Sequence, residues 1–195
     1  MNTQLYIIAG CNGAGKTTAS FTILPDILGC KEFINADEIA RGLSPFQPDK
    51  VGIEAGRIML HRIQELLAQG KTFAFETTLA TKSYKNTIKQ AQSLGYTVTL
   101  VFFSLDSVEL AIDRVKTRVL EGGHNIPEDV IARRYQNGLK NLFEIYSEIV
   151  DNLTIFNNSN EGPPELIAEK DSTSSIKITN SKTYNYLNSI CHEKR

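Results

Sequence analysis

The sequence predicts an α/β protein in which a parallel sheet of five strands is covered by helices on both faces. Short apolar runs, typical of buried strands, alternate along the chain with longer segments whose apolar residues recur at helical spacing. Strands that alternate with helices join through right-handed crossovers into a parallel sheet. The 195 residues, of which 41% are hydrophobic, suffice for a single domain with one buried core.

Three strands are predicted in the first half of the chain, at residues 5–9, 33–34 and 72–75. Each is a short apolar run, and the first ends at a glycine. A helix should begin near Lys16, directly after the first strand. A second helix is predicted over residues 52–67, because the apolar residues there recur at helical spacing.

The second half adds two strands to the predicted core. Residues 96–103 are rich in β-branched and aromatic side chains, which favours a strand, and residues 153–156 form the last strand. Helices are predicted over residues 82–94, from Asp106 to the glycine pair at 122–123, and from Pro127 to about residue 150. Asp106 and Glu109 are expected to cap the second of these helices.

A polar C-terminal segment follows this core. Residues 1–159 are assigned to the main domain and residues 160–195 to an appendage of the same domain. Within the appendage, residues 166–169 and 176–179 are expected to pair as a small hairpin. A short helix at residues 184–190 then ends the chain.

Residues 10–17 (GCNGAGKT) match the pattern G-x-x-x-x-G-K-[ST] at every fixed position, between a predicted strand and a predicted helix. The glycines let the backbone wrap so that several N–H groups point at one anion, and the helix N-terminus adds its positive end. The motif predicts a P-loop NTPase fold that binds the phosphates of ATP or GTP together with Mg²⁺. The residues assigned to the nucleotide are Gly10, Asn12, Gly13, Ala14, Gly15, Lys16, Thr17 and Thr18.

Three side chains of this loop carry separate expectations. Lys16 should reach the β- and γ-phosphates and take part in catalysis, and the Thr17 hydroxyl should bind Mg²⁺. Cys11 is interpreted as an incidental small residue, with a redox switch as the alternative.

Two carboxylates follow predicted strands, at the sheet edge where doubly wound folds bind ligands. Asp37 suits the carboxylate that accepts the proton of an attacking hydroxyl, and Glu76 suits either this task or a Mg²⁺ site. The alternative for Asp37 is a helix N-cap. Thr77 and Thr78 follow at the same edge, either as phosphate or hydroxyl ligands or as ordinary turn residues.

A glycine-hinged arginine segment predicts a helical lid at about residues 114–134. Arg114 and Arg118 lie one helical turn apart before the glycine pair, and Arg133 and Arg134 follow on the next helix. Kinases need mobile cations that neutralise the migrating phosphoryl group and exclude water. The alternative is two solvated helix faces, and His124 beside the glycines is expected to be a loop residue rather than a catalyst.

Five stretches resemble the zeta-toxin family of P-loop kinases, especially its chromosomal branch. They are IIAGCNGAGKTT, FINADEIARGLSP, FAFETTLA, GGHNIP and RRY, and they span about residues 5–150. The resemblance implies ATP-dependent phosphorylation of a UDP-N-acetyl amino sugar, typically UDP-N-acetylglucosamine, so that residues 1–159 form a P-loop kinase domain. It also implies an inhibitory antitoxin protein as a possible partner.

The resemblance assigns roles to particular residues. It implies that Asp37 is the base and that Glu76 and Thr78 contact the substrate. The lid arginines correspond to Arg118 and to Arg133 or Arg134, of which Arg118 and Arg134 are assigned to catalysis and Arg133 to nucleotide binding. Toxins of the plasmid type have an arginine where this chain has Ala80, and Arg57 is a candidate for supplying that charge to the substrate.

The composition restricts the function classes. A net charge of −1 argues against a basic nucleic-acid clamp, and no apolar run approaches the about 20 residues that span a bilayer. Three cysteines without pairing spacing and an N-terminus without signal-peptide features predict a cytoplasmic protein. Two functions stay open beside the nucleotide-sugar kinase: a kinase for another small hydroxyl substrate, and an ATP-binding switch module without small-molecule turnover.

Overall fold

A computed structural model describes residues 3–123 and 125–191 of the chain. His124, which the sequence favours as a loop residue, lies outside the described residues. The strands are β1 Gln4–Gly10, β2 Phe33–Ile34, β3 Phe73–Thr77, β4 Thr97–Ser104, β5 Asn152–Asn157, β6 Glu165–Lys170 and β7 Lys177–Ile178. The helices are α1 Lys16–Thr22, α2 Ala36–Leu43, α3 Gly52–Ala68, α4 Tyr84–Ser93, α5 Val108–Leu120, α6 Glu128–Asn141, α7 Ser147–Ile149 and α8 Ser181–Ile190.

The strands form one sheet in the order β2-β3-β1-β4-β5-β6-β7. The first five strands in this order are mutually parallel, as the alternation of strands and helices predicts. The sheet nevertheless has seven strands rather than five, because the C-terminal hairpin is continuous with it. β6 pairs antiparallel with β5, with Leu153 opposite Lys170, and β7 pairs antiparallel with β6.

Three short helical segments without α-helical hydrogen bonding adjoin the α-helices. A π-helical segment, Ile23–Ile27, continues α1, and another, Leu142–Tyr146, joins α6 to α7. A 3₁₀ turn, Pro48–Val51, leads into α3. The single long helix predicted from Pro127 to about residue 150 is therefore a continuous helical run whose hydrogen-bonding pattern changes after Asn141.

Two helix caps differ from the expectation. Asn35 caps α2, since its Oδ1 accepts the Asp37 N–H at 2.8 Å, so Asp37 does not serve as the N-cap. Ser107 caps α5 by accepting the Leu110 N–H, and Asp106 instead accepts from Asn157 Nδ2 at 2.7 Å. In both places the short polar residue next to the first turn takes the position that fits the cap geometry.

The core lies on both faces of β1, β3 and β4, where strands of a parallel sheet are buried by helices. Its largest fully buried side chains include Phe73, Phe75, Phe102, Phe103 and Tyr146. This rigid centre supports the loops at the carboxyl ends of the strands. None of the helices in the described part of the chain has the length and apolar character that a membrane crossing requires.

Candidate active site

The phosphate-binding loop, residues 10–15, connects the carboxyl end of β1 to the start of α1. Gly10, Gly13 and Gly15 have φ angles of 141°, 80° and 82°, which side-chain-bearing residues rarely adopt. A Cβ on Gly10 would lie 2.2 Å from the Phe103 carbonyl oxygen, so only glycine fits where the loop leaves β1. The backbone therefore adopts the tight wrap that the motif predicts.

Lys16 is almost fully buried at the base of this loop. Its Nζ donates to the Cys11 carbonyl oxygen at 2.9 Å and lies 3.4 Å from Glu76 Oε1. The side chains of Lys16 and Glu76 are 7% and 9% exposed, so water screens this pair only weakly. The charged amine is thus held beside the place where the loop can receive phosphates.

Glu76 is the centre of a compact polar cluster at the end of β3. Its Oε2 accepts from the Thr17 hydroxyl at 2.8 Å and from Asn35 Nδ2 at 3.0 Å. A hydroxyl and a carboxylate side by side are hard oxygen donors, the ligand type that Mg²⁺ takes beside phosphate oxygens and water. Thr17 and Glu76 therefore fit a Mg²⁺ ion that the nucleotide phosphates help to hold.

Two cavities border this cluster and a third lies beyond them, and all three share Asp37 in their walls; we name them by position. The phosphate cleft, about 290 Å³, is lined by Asn12, Gly13, Gly15, Lys16, Thr17, Thr18, Asp37, Glu38, Arg41, Glu76, Arg114 and Arg118. The inner cavity, about 220 Å³, is lined by Asn12, Lys16, Asn35, Ala36, Asp37, Met59, Glu76, Thr77, Thr78, Thr81, Tyr84 and Arg134. The outer cavity, about 600 Å³, is lined by Ala36, Asp37, Ala40, Pro48, Asp49, Gly52, Ile53, Asn125, Ile126, Pro127, Val130 and Arg134.

Asp37 borders all three cavities from the first turn of α2. Its carboxylate accepts no hydrogen bond and forms no salt bridge within residues 3–123 and 125–191. Because Asn35 performs the capping, the Asp37 carboxylate is available to a ligand. A free carboxylate between a phosphate cleft and two further cavities has the position of a group that orients a hydroxyl and accepts its proton.

Arg134 of α6, like Asp37, borders both the inner and the outer cavity. Its Nη1 donates to Asn12 Oδ1 at 3.2 Å, which ties α6 to the phosphate-binding loop. Burial lowers the pKa of Arg134, the neighbouring Asp37 raises it and Arg133 lowers it further. The guanidinium nonetheless keeps its charge at neutral pH, because the ordinary pKa of arginine is so high.

The two arginines of α5 differ in their contacts. Arg114 donates to Asn158 O at 2.7 Å and to Ser159 O at 2.9 Å, so it is fixed rather than mobile. Arg118 borders the phosphate cleft, and its Nε and Nη2 are buried without a hydrogen-bond partner among the described residues. Buried donors without partners are costly, and an anion in the cleft would satisfy them.

Other residues assigned from sequence take different positions. Thr18 borders the phosphate cleft and Thr78 the inner cavity, whereas Gly10 and Ala14 are buried within the loop and border none of the three cavities. Arg133 and Arg57 are exposed and border none of the three cavities. Among the residues that line the inner cavity, Arg134 is the one guanidinium in the described part of the chain.

Sequence reasoning missed two asparagines at this site. Asn35 binds Glu76 and caps α2, and Asn158 donates to the Ala14 carbonyl oxygen at 2.9 Å. Both follow the carboxyl end of a parallel strand, the edge where such folds bind ligands. That rule, applied to polar residues after β2 and β5 as well as to acids, would have found them.

Cys11 lies inside the phosphate-binding loop but is not exposed to solvent there. Burial raises the pKa of its thiol to about 11, more than the nearby Lys16 and Arg114 lower it. Reactive cysteines need a stable thiolate and access to solvent, and Cys11 has neither at neutral pH. It packs as a small apolar residue.

The family model for zeta toxins matches residues 2–163 of the chain. The chain belongs to the zeta-toxin family. An uncharacterized protein of Haemophilus influenzae is 33% identical over 136 residues, which is 69% of this chain and 94% of that protein. The family match covers the P-loop, both carboxylates and the arginine segment.

Solved structures share the fold of this zeta-toxin family protein. A chain of the PezAT chromosomal toxin-antitoxin system of Streptococcus pneumoniae aligns with a TM-score of 0.64 and 17% identity, covering all of this chain and 80% of its own. A chain of the AvrRxo1-ORF1:-ORF2 complex with ATP aligns with a TM-score of 0.80 and 17% identity, over 97% of this chain. The protein spans only 64% of the length of that chain. A gluconokinase from Sinorhizobium meliloti aligns with a TM-score of 0.53 and 11% identity, so the fold is that of P-loop kinases.

Proposed function

We propose that this protein is an ATP-dependent kinase that transfers the γ-phosphoryl group to a hydroxyl of a UDP-N-acetyl amino sugar. The observation that carries the proposal is the position of Asp37, which borders the phosphate cleft and both neighbouring cavities. Its carboxylate has Arg134 as a charged neighbour but forms no hydrogen bond or salt bridge with any residue that the structure describes. ATP would occupy the phosphate cleft, and the acceptor would approach from the opposite side of Asp37. Family membership supports the phosphotransfer, and the resemblance of the sequence motifs supports the nucleotide sugar.

The reaction needs one proton transfer and one phosphoryl transfer. Asp37 accepts the proton of the acceptor hydroxyl, the hydroxyl oxygen bonds to the γ-phosphorus, and the bond from that phosphorus to the ADP oxygen breaks. Lys16 and Arg118 stabilise the negative charge on the phosphoryl oxygens, which is the main catalytic task in this chemistry. Asn12 and Arg134, joined by a hydrogen bond, form the wall of the inner cavity on the side of the phosphate-binding loop.

Thr17 and Glu76 would hold Mg²⁺ together with the phosphates. When bound, the ion neutralises phosphate charge and helps to orient the β- and γ-phosphoryl groups. Glu76 would retain Lys16 beside it as its protein cation. Its amide partner, Asn35, keeps the carboxylate in place while nucleotide enters and leaves.

The acceptor is expected to fill both of the remaining cavities. The inner cavity, with Thr78 and Asp37 at its wall, suits the sugar whose hydroxyl reacts, and the outer cavity suits the uridine. Arg134 borders both, and its forked donors match a diphosphate at their boundary. On this model Arg134 provides the charge that the arginine at the Ala80 position provides in the plasmid-type toxins.

We also propose that only part of the arginine segment moves. Arg114 is anchored to the loop after β5 and Arg134 to Asn12, so both ends of residues 114–134 are held. Closure would then involve residues around the Gly122–Gly123 turn and bring Arg118 onto the phosphates. We keep the assignment of residues 160–195 to the same domain as a proposal, which the pairing of β6 with β5 supports.

The proposal is tested by incubating the purified protein with Mg-ATP and a panel of UDP-sugars and other small hydroxyl compounds, with products identified by mass spectrometry. A UDP-N-acetyl sugar carrying one added phosphate, formed together with ADP, is the expected result. Turnover of another hydroxyl compound alone would replace the nucleotide sugar as acceptor. ATP binding without any phosphorylated product would favour the switch module.

An inhibitory antitoxin is the proposed protein partner. The supporting likeness is to a chain of a toxin-antitoxin system. Growth arrest on expression, relieved by co-expression of a neighbouring reading frame whose product co-purifies with this chain, would support it. Unimpaired growth at high expression would count against the toxin role but not against the kinase chemistry.

A further inference from the structure

The loop that follows β5 contacts the phosphate-binding loop from behind, through Asn158. Asn158 Nδ2 donates to the Ala14 carbonyl oxygen at 2.9 Å. A Cβ on Gly15 would lie 2.5 Å from the same nitrogen, so the absence of a side chain at Gly15 makes room for the Asn158 amide. Gly15, the last glycine of the phosphate-binding motif, is therefore required for two reasons: its φ of 82° disfavours a side chain, and Asn158 occupies the space that a Cβ would take.

Asn158 is itself held firmly. Its N–H donates to Ser104 O at 3.0 Å, and its carbonyl oxygen accepts from Arg114 Nη1 at 2.7 Å. Arg114 Nη2 also donates to Ser159 O at 2.9 Å. The backbone on both sides of the Asn158 side chain is therefore fixed to β4 and α5, and the amide has little freedom to leave Ala14.

The contact controls the direction of one backbone donor. In a trans peptide the C=O of one residue and the N–H of the next point in opposite directions. The bond from Asn158 that fixes Ala14 O therefore also fixes the Gly15 N–H, on the side away from Asn158. Gly15 borders the phosphate cleft, and its N–H donates to no residue that the structure describes.

We propose that Asn158 is a positioning residue for the nucleotide: it locks the Ala14–Gly15 peptide so that the Gly15 N–H is presented to the terminal phosphate of ADP or the matching phosphate of ATP. Backbone donors that are oriented before binding cost no reorganisation when the anion arrives. The inference rests on the proposed function only in taking a nucleoside di- or triphosphate as the ligand. It does not depend on the acceptor.

Binding of Mg-ADP and of AMP to the wild type, Asn158→Ala and Asn158→Leu is the test, by isothermal titration calorimetry. Asn158→Leu keeps the approximate size and branching of the side chain without adding a charge, but it cannot donate to Ala14 O, so it separates the hydrogen bond from the packing. Asn185→Ala, an exposed asparagine on α8, is the matched control. Melting temperatures of all four proteins report the fold.

Both Asn158 variants are expected to bind ADP about tenfold more weakly, the loss expected for one hydrogen bond. AMP, which lacks the terminal phosphate, should bind them as it binds the wild type, and Asn185→Ala should match the wild type throughout. Unchanged ADP affinity, or an equal loss for ADP and AMP, would overturn the inference while leaving the kinase proposal intact. A wild type that binds ADP but phosphorylates nothing would remove the kinase proposal alone, and one that binds no ADP would overturn both.

Discussion

Lys16 Nζ lies 3.4 Å from Glu76 Oε1, in a pair whose two side chains are almost completely removed from solvent. The lysine belongs to the phosphate-binding loop and the glutamate to the end of β3, so the contact joins nucleotide binding to the sheet. Before nucleotide arrives, each charge is the main neutralising partner of the other. The phosphates and Mg²⁺ would compete for both.

This pair should show energetic coupling in the ligand-free protein. Lys16→Met leaves the Glu76 carboxylate without its cation, and we expect it to destabilise the fold more in the wild-type background than in Glu76→Gln. A double-mutant cycle by urea unfolding should give a coupling of roughly 1–2 kcal/mol. The exposed pair Lys177 and Glu169, 2.9 Å apart, is the control and should couple far more weakly. Equal coupling in the two pairs would contradict the account.

Arg118 should be costly to the fold and useful to catalysis. Two of its buried nitrogen atoms have no partner within the described residues, so Arg118→Met should leave the melting temperature of the ligand-free protein unchanged or raise it. The same change should lower kcat by roughly 100-fold, the typical cost of losing one oriented transition-state donor. Calorimetry and steady-state kinetics measure the two effects.

Lys116→Met, on the exposed side of the same helix, is the control for Arg118→Met and should change neither quantity strongly. A large drop in melting temperature with unchanged kcat in Arg118→Met would mean that Arg118 is a packing residue.

Gly138 lets α6 approach the segment after β3. A Cβ there would lie 2.6 Å from the Thr78 carbonyl oxygen, so Gly138→Ala should destabilise the fold by about 1–3 kcal/mol and raise the KM for the acceptor. ADP affinity should not change, because Thr78 borders the inner cavity and not the phosphate cleft. Denaturant unfolding and acceptor kinetics measure both.

Gly56 offers the opposite case within α3. A Cβ there would meet no described atom within 4 Å apart from its chain neighbours and the backbone of its own helix, so Gly56→Ala should stabilise the protein by about 0.5–1 kcal/mol through helix propensity. If Gly138→Ala and Gly56→Ala both stabilised the protein, the close approach of Gly138 to the Thr78 carbonyl oxygen would not limit the size of the residue at position 138.

Cys11 should resist alkylation in the folded protein at pH 8. Burial raises the pKa of its thiol to about 11, and the side chain is 4% exposed. The folded pKa lies above that of an unfolded cysteine, so this group supports stability fully below the unfolded value and loses the effect as pH rises towards 11. Peptide mass spectrometry after iodoacetamide treatment, with a urea-unfolded sample as control, measures the reactivity. Rapid modification of Cys11 in the native protein at pH 8 would favour the redox alternative.

Much of the fold follows from local pattern. The five parallel strands were predictable because each is a short apolar run, and the P-loop because its glycines and lysine have fixed spacing. The joining of β6 to β5 was not, since an antiparallel pair such as Leu153 and Lys170 depends on how a polar segment folds back in space.

Candidate site residues could be predicted where the local sequence pattern alone marks them. Lys16 ends the phosphate-binding motif, Asp37 comes shortly after β2, and Glu76 stands near the carboxyl end of β3. The contact of Asn158 with Ala14 joins residues 144 positions apart, and the difference between Arg134 and the exposed Arg133 depends on the rotation of α6. Sequence spacing carries no information on either.

The central claim is that Asp37 accepts the proton of the acceptor hydroxyl. Its most direct test compares phosphorylation of UDP-N-acetylglucosamine by the wild type, Asp37→Asn and the exposed control Asp113→Asn, with ADP affinity measured on the same samples. We predict that Asp37→Asn lowers kcat by about 10²–10⁴-fold with ADP affinity unchanged, and that Asp113→Asn behaves as the wild type. An Asp37→Asn protein that phosphorylates the sugar at the wild-type rate would contradict the account.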